Sequence, residues 1–177
     1  RWEAFISDSW TISDRLTIDG TLTGEWSTIT QTGDARKERS FFYLKPRLSA
    51  SWKPADGWTI RGRVERQVGQ LDFGAFAFSA SVGDGTGRVG NTDLKPDQAW
   101  VSEVGIERRW GQRGVASLTL VNEDISDAFA AVPLDTNGDG RIDGEARGNL
   151  PSANRRGFTL DMTLPLEQLV PGLEVSV

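Results

Sequence analysis

The sequence predicts an all-β chain, an antiparallel up-and-down meander of about eight strands in the wall of a transmembrane β-barrel. Three observations carry this. The dominant hydrophobic period is two rather than 3.6, the connections alternate between tight turns and long excursions, and tryptophans gather near the tight turns. In a strand successive side chains point to opposite faces, so a period of two gives each ribbon one apolar and one polar side.

The clearest element is Arg15–Trp26. Leu16, Ile18, Gly20, Leu22, Gly24 and Trp26 share one face, and Arg15, Thr17, Asp19, Thr21, Thr23 and Glu25 the other. Tyr43–Trp52 repeats the pattern, although Pro46 cannot donate to a ladder and predicts an irregular pairing there. Trp58–Gln67 sets Trp58, Ile60, Gly62 and Val64 against Arg61, Arg63 and Glu65, and Gly157–Leu164 sets Phe158, Leu160, Met162 and Leu164 against Thr159, Asp161 and Thr163. Weaker alternation occupies Trp2–Trp10, Trp100–Trp110 and Val115–Asp124, and a last strand begins at Leu173. No helical pattern is evident.

Short connections fall at Ser13-Asp14, Pro54–Gly57, Gly111–Gly114 and about 167–172; long ones fall at about 29–40, 69–98 and 131–153. Tight turns on one rim and long loops on the other characterise outer-membrane barrels. Trp10, Trp52, Trp58 and Trp110, four of the seven tryptophans, lie beside the short turns. In a meander those turns share a rim, so the indoles form a ring at a membrane–water boundary, where an apolar ring with one N–H donor is favoured. A face bearing Arg61, Arg63 and Glu65 is too charged for a dry core and is expected to line a wet lumen. The apolar face then meets lipid, and only a closed barrel satisfies the backbone there.

Composition narrows the function. The chain has 177 residues, no Cys and no His, which removes disulfides, thiolate zinc sites and His-dependent catalytic triads. Twenty Lys plus Arg against 25 Asp plus Glu give a net charge of −5, contrary to a nucleic-acid-binding surface. Gly85–Gly90 spells G-x-G-x-x-G but runs into Pro96 and a strand rather than a helix, so no dinucleotide site is expected. No enzymatic chemistry is predicted.

Gly90-Asn91-Thr92-Asp93-Leu94-Lys95-Pro96-Asp97-Gln98, followed by Glu103-Val104-Gly105-Ile106-Glu107, resembles the signature G-N-x-x-L-K-P-E … E-x-G-x-E in the barrel of TonB-dependent outer-membrane receptors, with Asp97 where Glu is usual. Leu48–Pro54 with Gly57–Gly62, Asn122–Phe129 and Asn154–Leu160 resemble the flanking strands in family order. The resemblance implies a plugged barrel of about 22 strands in the outer membrane of a Gram-negative bacterium. It implies uptake of a scarce ligand such as a ferric siderophore, energised through TonB. On that reading residues 1–177 are a partial barrel, without the plug domain and terminal strands, and the partners are outer-membrane lipid, a small-molecule metal chelate and the TonB complex through the plug. Two alternatives are a complete small eight-stranded outer-membrane barrel and a soluble extracellular β-domain with calcium-bound loops.

Candidate ligand-binding residues are Arg61, Arg63, Arg66, Arg155 and Arg156, read as lying on one polar face and able to draw anionic chelates. The competing reading is routine pairing with Glu65, Glu103 and Glu107. Phe73, Phe76 and Phe78 are further candidates for ligand contact. No cofactor is required. Asp135, Asn137, Asp139, Arg141 (through its carbonyl) and Asp143 match the first nine positions of an EF-hand-type loop, so Ca²⁺ is a candidate ion, although Ala146 stands where a bidentate Glu is expected.

Overall fold

Alternation, carried through successive hairpins, produces a single eight-stranded sheet in sequence order. The computed structural model describes residues 1–31, 37–70, 94–111, 113–134, 140–142, 144–165 and 174–176. The strands are β1 (Trp2–Ser13), β2 (Leu16–Gln31), β3 (Lys37–Trp52), β4 (Trp58–Val68), β5 (Gln98–Trp110), β6 (Gly114–Leu134), β7 (Gly144–Pro165) and β8 (Glu174–Ser176). Every neighbouring pair is antiparallel. Among the described residues β1 pairs only with β2, so these strands form an open sheet and not a complete small barrel.

The strands are longer than the sequence predicts. Residues 131–153, expected as a long connection, largely continue β6 and β7, which reach 21 and 22 residues. A strand tip wetted on both sides needs no apolar alternation, so the extension leaves no period-two signal. Pro46 sits opposite Leu22 on β2, next to Arg47, where the described ladder between β3 and β4 stops. Its missing N–H is tolerated at such a place.

The tight rim is set by turns. Gly57 has φ of +72°, and a Cβ there would fall 2.4 Å from the Arg109 carbonyl oxygen. Glycine alone meets both demands, and the Gly57 carbonyl accepts the Arg109 N–H at 2.7 Å. This bond ties the β3–β4 turn to the end of β5.

No second layer covers the apolar face among the described residues. Phe158 is 74% exposed, Leu160 55% and Val104 49%, whereas the carboxylate-bearing Glu25 and Glu65 on the opposite face are 5% and 8% exposed. This inverts the burial of a soluble sheet and excludes a soluble β-domain. Trp10 and Trp26 lie across Gly20 and Gly24, where any Cβ would stand 3.0 Å from the indole.

Register and aromatic placement together give the orientation in the membrane. Trp2, Trp26 and Phe42 occupy one row across β1–β3 and mark the upper edge of the apolar face. On β7 that edge is Phe158, whose row runs through Leu120, Val104, Gly62, Ala50 and Ile18 to Trp10. The edge thus drops from Trp2 to Trp10 in six strand-to-strand steps. That is about 26 Å along the chain against about 29 Å across it, a strand inclination of about 40°, as a barrel wall requires. Phe42 to Trp52 and Trp100 to Trp110 each span ten residues. Projected on the barrel axis this is about 25 Å, the height of the apolar band between two aromatic girdles. At the lower girdle the Arg108 guanidinium lies 5.0 Å from the Trp58 ring centroid and donates to the Asp56 carbonyl at 2.7 Å. A cation is thereby held at the water boundary.

Val104 lies between Trp100 and Trp110 in the middle of this band. Val104→Arg in the full-length protein is expected to destabilise the folded barrel by about 2–4 kcal/mol. Thr159→Lys, on the opposite face, is expected to stay within about 0.5 kcal/mol. Urea titration in lipid vesicles measures both, and equal costs would show that the band does not face lipid.

Candidate functional site

The polar face is built by register. Arg47 stands opposite Glu65, Arg63 opposite Glu103, and Glu123 opposite Arg155. Directly opposed side chains on one face are within pairing distance, so alternating signs on neighbouring strands become ion pairs. Arg63 donates to Glu65 at 2.6 Å and to Glu103 at 2.7 Å. Arg61 reaches diagonally to Glu107 at 3.2 Å, and Arg109 holds the other Glu107 oxygen at 2.6 Å. Arg47 approaches Glu65 at 3.6 Å. Towards β1, Lys45 bridges Glu3 at 2.5 Å and Glu25 at 2.7 Å, and Arg1 joins the same two carboxylates.

Three of the five arginines singled out from the sequence therefore share this face. Arg61 and Arg63 belong to the ladder, paired with the glutamates that the competing reading names. Arg155 gives Nε and Nη2 to one Glu123 oxygen at 3.0 and 2.5 Å, and its side chain is 71% exposed.

Arg66 and Arg156 do not join them. Arg66 follows Val64 by two residues and is paired with Trp100; Arg156 precedes Phe158 by two and is paired with Asn122. Both lie on the outward face. Arg66 donates to the Leu44 carbonyl at 3.2 Å and to the Gln98 amide oxygen. Arg156 donates through Nε to Asn122 at 3.0 Å, in a polar network with Asp124 and Asn154 just above the apolar band. Proximity to a strand end does not fix a face, but parity counted along the strand does.

Parity also brings together residues that the sequence reading does not single out as a site. Arg39, Phe41 and Tyr43 continue the Lys45–Arg47 side of β3 towards the long connections. The Phe41 and Tyr43 rings stack with centroids 6.1 Å apart and planes 13° apart, and the Arg39 guanidinium lies 5.3 Å from the Phe41 centroid. A planar aromatic surface beside cations suits a planar anionic ligand. The signal is an alternating Arg-x-Phe-x-Tyr-x-Lys-x-Arg run that straddles the expected 29–40 connection, which takes in Arg39, and the expected strand that begins at Tyr43.

The Leu-Lys-Pro element lies beside this surface. Leu94 is fully buried and its carbonyl accepts from Arg39 Nη1 at 3.2 Å. Of the calcium candidates, Asp135, Asn137, Asp139 and Asp143 lie outside the described residues, as do Phe73, Phe76 and Phe78. Arg141 is exposed, and Gly140 before it has φ of +83°. No group of three or more acidic side chains placed to hold a metal occurs among the described residues.

The ladder's members differ in burial, so their loss should differ in cost. Glu25→Gln, which leaves Lys45 and Arg1 beside a neutral buried amide, is expected to destabilise the barrel by about 1–3 kcal/mol. Glu123→Gln, beside the exposed Arg155, is expected to cost less than about 1 kcal/mol. Urea unfolding of the full-length variants compares them, and the reverse order would contradict the burial pattern.

Residues 1–174 match the family model for the TonB dependent receptor-like β-barrel. An iron-regulated outer membrane virulence protein of Vibrio cholerae serotype O1 is 28% identical over 146 residues, covering 77% of this chain and 20% of that protein. The siderophore receptor PirA of Pseudomonas aeruginosa superposes with a TM-score of 0.69 at 17% identity, over 93% of this chain and 31% of that one. A ferric enterobactin receptor of the same species gives 0.70 at 21% identity, over 98% and 25%. The hemophore receptor HasR of Serratia marcescens gives 0.71 at 14%, over 91% and 31%. The chain thus spans between a fifth and a third of the length of these relatives. With the inverted sheet, the two girdles and the strand inclination, the match establishes that this chain belongs to the TonB-dependent receptor family, as a section of its outer-membrane β-barrel.

Proposed function

We propose that the full-length protein takes up a scarce ligand, such as a ferric siderophore or related iron chelate, across the outer membrane with energy supplied through TonB. This chain forms part of the wall around the pathway. The observation that carries the reading is the conjunction of Arg39, Phe41 and Tyr43 on the polar face of β3, on the side of the long connections. Arg61, Arg63 and Arg155 extend the same face. The relatives named for siderophore, ferric enterobactin and heme-linked ligands support the ligand class.

The wall has the physical attributes the role needs. Its cations are mostly paired, so the face is hydrated and patterned in both signs rather than uniformly basic. An anionic chelate exchanges one set of charge-assisted bonds for another as it moves and is not trapped by any single site. Arg155 and Arg61, with side chains 71% and 58% exposed, are the members of the ladder best placed for such exchange. We assign contact with the chelate to these two and to the aromatic pair, and leave Arg66 and Arg156 out of the pathway.

The test uses the full-length protein in cells starved of iron and supplied with ferric enterobactin, an anionic chelate whose aromatic rings can stack on Phe41 and Tyr43. Wild type is expected to restore growth only when TonB is present, and Phe41→Ala with Tyr43→Ala to weaken binding about tenfold. Growth restored equally without TonB, or binding unchanged in the double variant, would remove the reading. For the 135–143 segment we propose Ca²⁺ as the ion, held by Asp135, Asn137, Asp139, the Arg141 carbonyl and Asp143. Isothermal titration of the full-length protein should then show binding in the micromolar-to-millimolar range. Silence up to the top of that range would end this assignment.

A further inference from the structure

Among the described residues the sheet is notched on the side of the long connections. β4 ends at Val68 and β5 begins at Gln98, while β3 runs back to Lys37 and β6 on to Leu134. The described ladder on the β4 side of β3 stops at Arg47, and that on the β5 side of β6 stops at Ser126. Two stretches of strand edge therefore flank the gap. Residues 94–97 lie between them.

The side chain of Asn149, on β7, grips this segment from one side. Its Oδ1 accepts the Lys95 N–H at 2.9 Å, and its Nδ2 donates to the Lys95 carbonyl at 2.9 Å and to the Asp127 carbonyl at 2.6 Å. One amide thus reproduces both hydrogen bonds that a neighbouring strand would offer to Lys95. Asp127 turns its carbonyl to this position with a φ of +53°, a left-handed conformation that a non-glycine residue adopts at a cost. From the other side Arg39 of β3 donates to the Leu94 carbonyl. Below, the Gly69 N–H donates to the Asp97 carbonyl at 2.8 Å. Leu94 and Pro96 are buried, and Lys95 between them is exposed.

We propose that Leu94–Asp97 is a latch that ties β3 to β6 and β7 across the notch, and that Asn149 is its positioning residue. Two of the three anchors come from separate strands, Asn149 from β7 and Arg39 from β3, while Gly69 directly follows β4 and continues the register of the β4–β5 ladder to Asp97. A backbone pinned at Leu94, Lys95 and Asp97 fixes the spacing of the two walls. It also holds the Arg39 guanidinium over Phe41, so the latch sets the geometry of the aromatic surface as well as closing the gap. The proposal rests on the barrel architecture and on no particular ligand.

The experiment uses the full-length receptor in lipid nanodiscs and reads amide hydrogen exchange together with distances between spin labels. Labels at Ser40→Cys and Ser152→Cys, both exposed on the outward side of β3 and β7, report the spacing. Asn149→Ala is expected to speed exchange of the Lys95 amide, and of the Gly69 amide bonded to the Asp97 carbonyl, about tenfold. It is also expected to broaden the label distance distribution, while Val101–Ile106 amides and heat-modifiability stay as in wild type. Arg39→Met, which cuts the opposite anchor and leaves β7 intact, is expected to broaden the same distribution. Wild-type exchange and an unchanged distribution in Asn149→Ala would overturn the positioning role. An unchanged distribution in Arg39→Met would overturn the tie to β3. Neither readout involves transport, so a receptor that fails to take up any iron chelate leaves this test intact.

Discussion

The constraint on which the rest depends is that hydrocarbon offers no partner to a backbone N–H or C=O. A ribbon crossing lipid must therefore have a neighbour on each side throughout its apolar span. Among the described ladders β5 meets this demand through the band between the aromatic girdles. Trp58 to Val68 on β4 is paired continuously with Gln98 to Arg108 on β5, and Gln98 to Trp110 continuously with β6. On β3 the described ladder to β4 stops at Arg47, so Phe42 to Pro46 have no described partner strand on that side; there the Arg66 side chain donates to the Leu44 carbonyl, and Pro46 has no N–H to satisfy.

The same constraint explains why the charged face is the packed one. Outward side chains are separated by lipid and contact little protein, so they remain exposed. Inward side chains converge on one another, and only mutual pairing makes such crowding tolerable for Glu25 and Glu65. Register does this work. A one-residue slip would place Arg63 opposite Val104 and turn charge into the bilayer along the whole strand. The ion pairs contribute modestly to stability one by one, but together they penalise every wrong register.

The alternation and the short rim made most of the architecture legible in the sequence, because both follow from the two-sided environment of the wall. The missing parts share a physical cause. Above the upper girdle both faces are wet, so the tips of β6 and β7 carry no apolar alternation that distinguishes strand from loop, and the alternation of β3 before Phe42 sets Arg39 and Phe41 against polar neighbours rather than apolar ones. Arg66 and Arg156 were misplaced for a different reason. Their faces follow from counting by two from Val64 and Phe158, but their position near strand ends obscured the count. Asn149 was not legible at all. An amide in a polar tip is unremarkable until the chain brings the Lys95 peptide within 2.9 Å of both its polar ends.

Asn149 shows how a barrel accommodates a segment that departs from strand geometry. Among the described residues the Lys95 peptide has no strand partner, and it lies next to a proline that cannot donate. A second strand would supply its two hydrogen bonds but would also close the notch and remove the surface around Arg39. A single side chain supplies the same two bonds without a strand. Asn suits the task better than Asp or Leu: its oxygen meets an N–H, its NH₂ meets two carbonyls, and no charge is left over. The left-handed Asp127 brings the second carbonyl within reach. Local backbone strain, one amide and one arginine thus replace a length of ladder, and the Leu-Lys-Pro sequence is held across the gap without another strand.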